Sequence, residues 1–353
     1  MPTTDSSELT AFAPGRVNLI GEHTDYNEGL ALPIAISAGV RVTARPGQEA
    51  GTCVVHARDL DETDRFALIA AERADGWRAF ARGIVAELGA TGIALPSCEL
   101  EIVGDVPRGA GLSSSAALEV ALALALMGLA GSDATSDIEL ARLCSRVENT
   151  WVGAHSGLLD QLASICAVPA HALLIDFRTL ALTPVPLKLA DYALVTVHSG
   201  QEHSLSVSGY NDRREECRQA CELLGLTSLR DATLDAARSL PDPLDRRVAH
   251  LVSENERVLD AVAALQSGDL DYLGELLNAS HRSLREDYEV STDAVEQTVG
   301  ALREAGAIGA RIVGGGFGGS VLGLLPPGCP VPAGAVVLEA GGGARLLSAE
   351  ELS

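Results

Sequence analysis

Residues 104–131, GDVPRGAGLSSSAALEVALALALMGLAG, constrain the fold of this chain more than any other stretch. The stretch opens as a loop of small residues (Pro107, Gly109, Gly111, Ser113, Ser114, Ser115). It continues as an Ala/Leu run whose one charged residue is Glu119. Alanine and leucine favour helix, and apolar residues on every side predict a helix buried all round. A buried helix entered from a Gly/Ser loop presents unpaired N–H groups and a partial positive charge, which suits an anion, phosphate above all. The glycines let backbone approach a ligand, and the serine hydroxyls can reach phosphate oxygens or Mg²⁺. A core helix with an ordinary serine N-cap fits the same letters. The loop alone does not choose between the two.

The rest of the chain narrows the chemistry. Its 353 residues suffice for two domains and a large core, and 47% apolar content excludes a disordered chain. A formal charge of −22 without a basic cluster argues against nucleic acid or anionic membrane as a partner. Lys188 is the one lysine, far from any glycine loop, which excludes a Walker A loop and the lysine-dependent protein-kinase layout. Bound phosphate must therefore be held by backbone N–H groups, hydroxyls, arginine and metal. The cysteines fall mostly in apolar segments. Cys217 and Cys221, four apart, read as ordinary helical cysteines because no histidine or second pair accompanies them. The start, MPTTDSSELT, has neither a basic nor an apolar region, so no signal peptide is expected. The Ala/Leu run is too short to span a membrane and carries Glu119. A reducing cytoplasm is the expected location.

Three further segments stand out. Residues 9–20 read as a strand broken at Pro14-Gly15, and GEHTDYNEG follows, where Glu22, His23, Asp25 and Asn27 crowd one turn just after Arg16. A turn needs about one Asp or Asn. A surplus of acceptors suits a sugar, since a ligand lacking the matching hydroxyls would leave them unpaired. A solvated loop is the alternative. In 152–167, Asp160 lies beside Gln161 in an otherwise apolar helical segment. Burying a lone carboxyl is costly, so it either pairs structurally or serves a site. Its place after Ser156-Gly157 points it toward the mouth of the serine loop. In 314–319, five glycines and Phe317 join two strands. Their entropic cost favours close approach of backbone to something over a plain wide turn, and the flanking strands exclude a Rossmann fingerprint.

Between these landmarks, alternation over 40–72 predicts antiparallel strands, followed by a helix over 77–88 and a strand over 98–103. A helix capped by Ser136 runs to Glu148, and strands occupy 165–187. A strand follows Lys188. Long helices lie near 208–224, 245–266 and 269–285, with Tyr210 at the start of the first. The last 20 or so residues predict one further strand and a tail.

Together these segments resemble the galactokinases, a branch of the GHMP small-molecule kinases. PGRVNLIGEHTDYN (14–27) is similar to the galactokinase signature, which is highly specific and separates that branch from mevalonate and homoserine kinases. PRGAGLSSSA (107–116) resembles the superfamily phosphate loop and GARIVGGGFGGS (309–320) its third motif. GLLDQ (157–161), SENERV (253–258) and SHRSLREDYEVS (280–291) also resemble galactokinase segments, so the likeness covers roughly 10–325. Two departures occur. Ser320 stands where many members carry Cys, and His155-Ser156 replaces a commoner Pro-Cys or Pro-Thr. Neither is expected to touch a residue of the site, although the second is expected to alter the sugar pocket slightly.

The resemblance implies an α+β, two-domain GHMP kinase fold. A ribosomal-protein-S5-like domain would occupy 1–187 and a ferredoxin-like domain 188–353, with the terminal strand packing back on the first domain and the active site in the cleft between. The implied activity is ATP- and Mg²⁺-dependent phosphorylation of the anomeric hydroxyl of D-galactose. Arg16, Glu22, His23, Asp25, Gly157, Asp160 and Tyr210 would surround the sugar. Asp160 and Arg16 would be the catalytic residues, Asp160 facing the anomeric hydroxyl with Arg16 beside it. Gly109, Ala110, Gly111, Leu112, Ser113, Ser114 and Ser115 would cradle the phosphates of ATP, and Ser115 (or Ser114) and Glu148 would hold Mg²⁺. An unperturbed Asp has a pKa of about 3.9, far below that of a sugar hydroxyl. Asp160 would therefore accept its proton late.

By the same likeness D-galactose and ATP are the expected ligands, and a monomer the expected state, with a weak dimer as the alternative. A GHMP kinase for N-acetylgalactosamine, arabinose or a uronic acid would share the loops and differ around the sugar. A non-catalytic galactose sensor would typically carry a damaged phosphate loop, whereas GLSSSA (111–116) is complete. A serine hydrolase is excluded by the lack of a Gly-x-Ser-x-Gly elbow.

Overall fold

Apolar/polar alternation builds the first sheet from both ends of the chain. The structure, a computed structural model, describes residues 8–106, 111–132, 135–154, 156–201 and 206–351. β1 (Leu9–Asn18) crosses the Pro14-Gly15 pair without ending. Its register on the neighbouring strand shifts between Pro14 and Arg16, so the break read from the sequence is a bulge, the device by which a strand re-aims a side chain. β2 (Leu30–Ala31), β3 (Pro33–Pro46), β4 (Thr52–Ala57) and β5 (Glu62–Ala67) follow, then α1 (Trp77–Ala90) and β6 (Cys98–Gly104). With β13 (Arg345–Leu346) they form a six-stranded sheet in the order β13-β1-β3-β6-β4-β5, and β2 stands apart. Its pairs are antiparallel except β4 with β6.

α2 (Ser114–Leu129) packs on β1 and β3 and is enclosed by α1, α3 (Asp137–Val147) and α4 (Leu159–Cys166). Ala117, Val120, Ala121, Leu122 and Leu126 are fully buried, as a helix apolar on all sides requires. Ser136 caps α3, its hydroxyl accepting from the Glu139 N–H at 3.4 Å. A π-helical turn (Glu148–Val152) then releases the chain toward α4.

β2, β7 (His171–Asp176) and β8 (Ala181–Pro186) form a small sheet, beyond which Lys188 is exposed. β9 (Ala193–His198), β10 (Gly309–Ile312), β11 (Ser320–Leu325) and β12 (Val336–Val337) make an antiparallel sheet in the order β10-β11-β9-β12. α8 (Leu270–Glu286) and α9 (Asp293–Glu304) lie against it. α7 (Leu244–Ser267) packs on α8, and α5 (Ser206–Leu224) and α6 (Leu234–Ala237) pack on α7.

The end of the chain departs from the single strand expected there. β12 and β13 are two residues each and belong to different sheets. Between them the Gly341 N–H donates to Ala35 O and the Gly343 N–H to Ala167 O, both at 2.9 Å. These bonds draw the segment across the first half in irregular form. The two halves also share a core, in which Leu19 and Ile34 pack with Val258, Leu273 and Leu322. Each such side chain contributes about 1.5–3 kcal/mol by burial, so the cleft between the halves has fixed walls.

Candidate active site

A cavity of about 320 Å³ opens between the halves, lined from β1 and the polar turn after it, the loop before α2, the starts of α4 and α5, and the glycine turn after β10. Arg16 enters from the bulge of β1 and is buried. Its Nε donates to Asp160 Oδ1 at 2.8 Å, its Nη2 lies 2.7 Å from the same oxygen, and its Nη1 donates to Gly111 O at 2.8 Å. Its backbone N–H donates to Leu112 O at 3.0 Å. Burial works against the guanidinium charge, but Asp160, Glu22 and Asp25 outweigh it and raise the Arg16 pKa. The Ser113 hydroxyl donates to Asp160 Oδ2 in a very short contact. Ser113 occupies the N-cap position of α2 in a left-handed conformation (φ 56°), yet its side chain caps nothing. The serine-cap alternative thus falls away. The first turn of α2 keeps N–H groups without a side-chain cap at the edge of the cavity.

The turn after β1 supplies the polar wall. Glu22 Oε1 accepts from the Gly314 N–H at 2.8 Å and lies 3.1 Å from Arg311 Nη2. The His23 ring packs against Tyr288 and Tyr210, at centroid distances of 4.7 and 5.2 Å, with Nδ1 2.9 Å from the Tyr26 hydroxyl. Burial, with His250 and Arg213 adding, lowers the His23 pKa to about 3, so the ring is neutral. Its Nε2 is buried and has no hydrogen-bond partner among the described residues. Burial and the Asp160 carboxylate raise the Asp25 pKa to about 7. The Asp25 carboxyl rests on Gly157, where a Cβ would collide with Oδ2. Tyr210 is pushed well above its ordinary pKa by burial and Asp25, so its phenol is a donor. Asn27, by contrast, serves the turn itself, donating to His23 O at 3.0 Å. The wall is a set of acceptors and neutral donors of the kind that reads hydroxyl groups.

On the serine side, Gly111, Leu112, Ser113, Ser114 and Ser115 line the cavity, together with Glu148. Gly109, Ala110 and His155 lie outside the described residues. The Ser115 hydroxyl donates to Glu148 Oε1 at 3.2 Å. Glu148 Oε2 accepts from the Ser156 hydroxyl at 2.5 Å and from Gln161 Nε2 at 3.0 Å. Burial and the Asp160 charge raise the Glu148 pKa, a shift that a bound cation would reverse. Ser156 was not expected to touch a residue of the site, and that expectation fails: the turn before α4 brings its hydroxyl onto Glu148. Ser320 sits buried in β11 opposite His198, away from the cavity lining.

Some lining residues were not singled out from the sequence: Ala154, Leu159 and Asn211. The glycine run did signal a close approach, which Gly314 makes to Glu22. Asn211 carried no signal beyond its place next to Tyr210.

Three family models match the chain: the galactokinase galactose-binding signature at residues 3–46, the N-terminal domain of GHMP kinases at 77–167, and the GHMP kinase C-terminal region at 261–328. The galactokinase of Roseiflexus sp. is 43% identical over 324 residues, covering 89% of this chain and 82% of the relative. That of Mycobacterium tuberculosis is 42% identical over 321 residues, covering 89% and 88%. The chain belongs to the galactokinase family. Among solved structures, Lactococcus lactis galactokinase complexed with galactose aligns with a TM-score of 0.90 at 32% identity, over 97% of this chain and 96% of that one. A mevalonate kinase of L. major in complex with R-mevalonate shares the fold, with a TM-score of 0.66 at 21% identity over 97% and 99%. The two large sheets are therefore those of the GHMP kinase fold. The galactose-binding signature spans β1 and the polar turn that carry Arg16, Glu22, His23 and Asp25 into the cavity. The N-terminal GHMP model runs from α1 through α4 and so includes the serine loop, Glu148 and Asp160.

Proposed function

We propose that this chain is a galactokinase that transfers the γ-phosphoryl group of ATP to the anomeric hydroxyl of D-galactose, giving galactose 1-phosphate and ADP. The observation that carries the reading is the adjacency of two chemistries in one cavity. The hydroxyl-reading wall of Glu22, His23, Asp25 and Tyr210 faces Asp160, and Asp160 is bonded directly to the serine loop through Ser113. A sugar on one side and a terminal phosphate on the other would meet at Asp160. Phosphoryl transfer asks a protein mainly for in-line positioning and charge stabilisation. Arg16 joins Asp160 to Gly111 O, so it fixes the distance between acceptor and loop while adding positive charge. Asp160 accepts the sugar proton once bond formation has acidified that hydroxyl.

Ser115 and Glu148 present hard oxygen donors at the cavity edge, which fit Mg²⁺. Two protein oxygens leave the rest of an octahedral shell to water and phosphate, as magnesium prefers. When bound with ATP, the ion supplies neutralisation of phosphate charge. The amides and hydroxyls of Ser113, Ser114 and Ser115 would hold the phosphates themselves, doing what lysine does in other kinases.

The seven free thiols and an ATP-dependent reaction support a cytoplasmic location. Among the described residues, no helix is long and apolar enough to cross a membrane.

The test is Mg²⁺- and ATP-dependent ADP release over galactose, glucose, N-acetylgalactosamine, arabinose and galacturonate. Turnover on galactose well above the others is expected. Turnover on another sugar would move the pocket assignment, and galactose binding without any turnover would overturn the enzymatic reading.

A further inference from the structure

Glu119 is the one charged residue of the Ala/Leu run, and it is fully buried in the middle of α2. A carboxyl there is costly without partners, and leucine would suit the surroundings better. Its partner is Gln161, also fully buried, which follows Asp160 on α4. Gln161 Nε2 donates one hydrogen to Glu119 Oε2 at 3.2 Å and the other to Glu148 Oε2 at 3.0 Å. Both amide hydrogens are thus engaged, each by a different carboxyl. Among the described residues Glu119 Oε1 and Gln161 Oε1 have no partner, so Glu119 Oε2 and Glu148 Oε2 set how the amide is turned. Burial and the neighbouring Glu148 push the Glu119 pKa well up.

We propose that Glu119 is a positioning residue for the cation-binding carboxylate. Acting through Gln161, it holds Glu148 Oε2 inward and leaves Oε1 turned toward Ser115 at the mouth of the cavity. Without an acceptor at residue 119, one amide hydrogen is stranded in the core. The amide is then held by Glu148 alone, and when it swings to find another acceptor it carries the Glu148 Oε2 contact with it and turns the carboxylate away from Ser115. The same link ties α2, which begins at the serine loop, to α4, which carries Asp160. This inference rests on the Mg²⁺-dependent reading of the site given above.

The experiment is calorimetric titration of ADP into the full chain with Mg²⁺ and with chelator, alongside galactose titration and thermal melting. Glu119→Leu matches the apolar helix but leaves a Gln161 amide hydrogen unpaired in the core, so it is expected to melt in one cooperative transition with a Tm somewhat below wild type. Its Mg²⁺-dependent gain in ADP affinity is expected to fall about 10- to 100-fold, the usual effect of losing an outer-shell partner, with galactose affinity retained. Glu119→Gln keeps an acceptor and is expected to retain that gain. Gln161→Met cuts the link from the other side and gives the same loss, and the double variant loses no more than Gln161→Met alone, because both act through one chain of bonds.

Wild-type Mg²⁺ dependence in Glu119→Leu, an equal loss in Glu119→Gln, or additive losses in the double variant would each overturn the proposal. If Glu119→Leu does not fold, Glu119→Gln and Gln161→Met decide by the same criteria. A wild-type chain with no Mg²⁺-dependent ADP binding would instead defeat the functional reading itself.

Discussion

Two aspartates share the cavity and are held by different means. Asp160 is clamped between the Arg16 guanidinium and the Ser113 hydroxyl, whereas Asp25 is buried against Gly157. Asp160→Asn keeps the shape but removes the proposed proton acceptor and the anionic partner of Arg16. Its kcat is expected to fall by about 10²- to 10⁴-fold, with galactose still binding in calorimetry; near-normal turnover would sink the assignment.

Asp25 makes a pH-dependent prediction. The folded chain keeps a proton on Asp25 up to about pH 7, whereas the unfolded chain releases it near the ordinary value of 3.8. Its contribution to stability is therefore complete below pH 3.8 and is lost as pH rises to about 7. His23 and His250, lowered to about 3 and about 4, run the opposite way: their contribution is present above 6.5 and lost as pH falls through those values. The Tm profile of the wild type mixes both trends. The Tm of Asp25→Asn minus that of wild type isolates the first, and this difference is expected to climb from pH 4 to pH 8. A flat difference would show that Asp25 titrates normally.

At the scale of elements, the glycine turn between β10 and β11 carries a direct test. Gly316 has φ +79°, and a Cβ there would stand 2.5 Å from Val290 Cβ. Gly316→Ala is expected to cost about 1–3 kcal/mol in urea unfolding and to raise the KM for galactose, since the same turn presents the Gly314 N–H to Glu22. The helices and strands around the site were largely legible beforehand, because α2, α3, α5, α7 and α8 announce themselves by composition, caps and periodicity. Asp160 was legible as a carboxyl in an apolar helical segment, and Asp25 as one of a surplus of polar residues crowding the turn just after Arg16. What escaped depends on contacts between distant segments. No local pattern shows that Ser113 turns its hydroxyl to Asp160 rather than to its own helix, or that Ser156 reaches Glu148. Gln161 was noticed only as the neighbour of Asp160, and its bond to Glu119 appears only once α2 and α4 are packed together. The split of the last strand follows likewise from the seats that Gly341 and Gly343 find on the first half.

At the scale of the whole molecule, the two halves are locked by polar groups as well as by their shared core. Arg311 on β10 is fully buried and donates to Asn18 O at 2.9 Å and Leu19 O at 2.7 Å, with Glu22 at 3.1 Å. Glu254 on α7 accepts from the Gly21 N–H at 2.9 Å. Such bonds predict that the halves unfold in one calorimetric transition, and two resolved transitions would contradict it. Arg311→Met leaves Glu22 buried without its cation and is expected to lower stability by about 3–5 kcal/mol, measured by urea unfolding. Lys188 has a practical consequence of another kind. It lies exposed between β8 and β9, outside the cavity lining, and is the chain's sole lysine. Apart from the α-amino group, an amine-reactive linker has one place to attach, and that place lies outside the cavity lining, so beads or electrodes would carry this catalyst with its cleft chemically untouched.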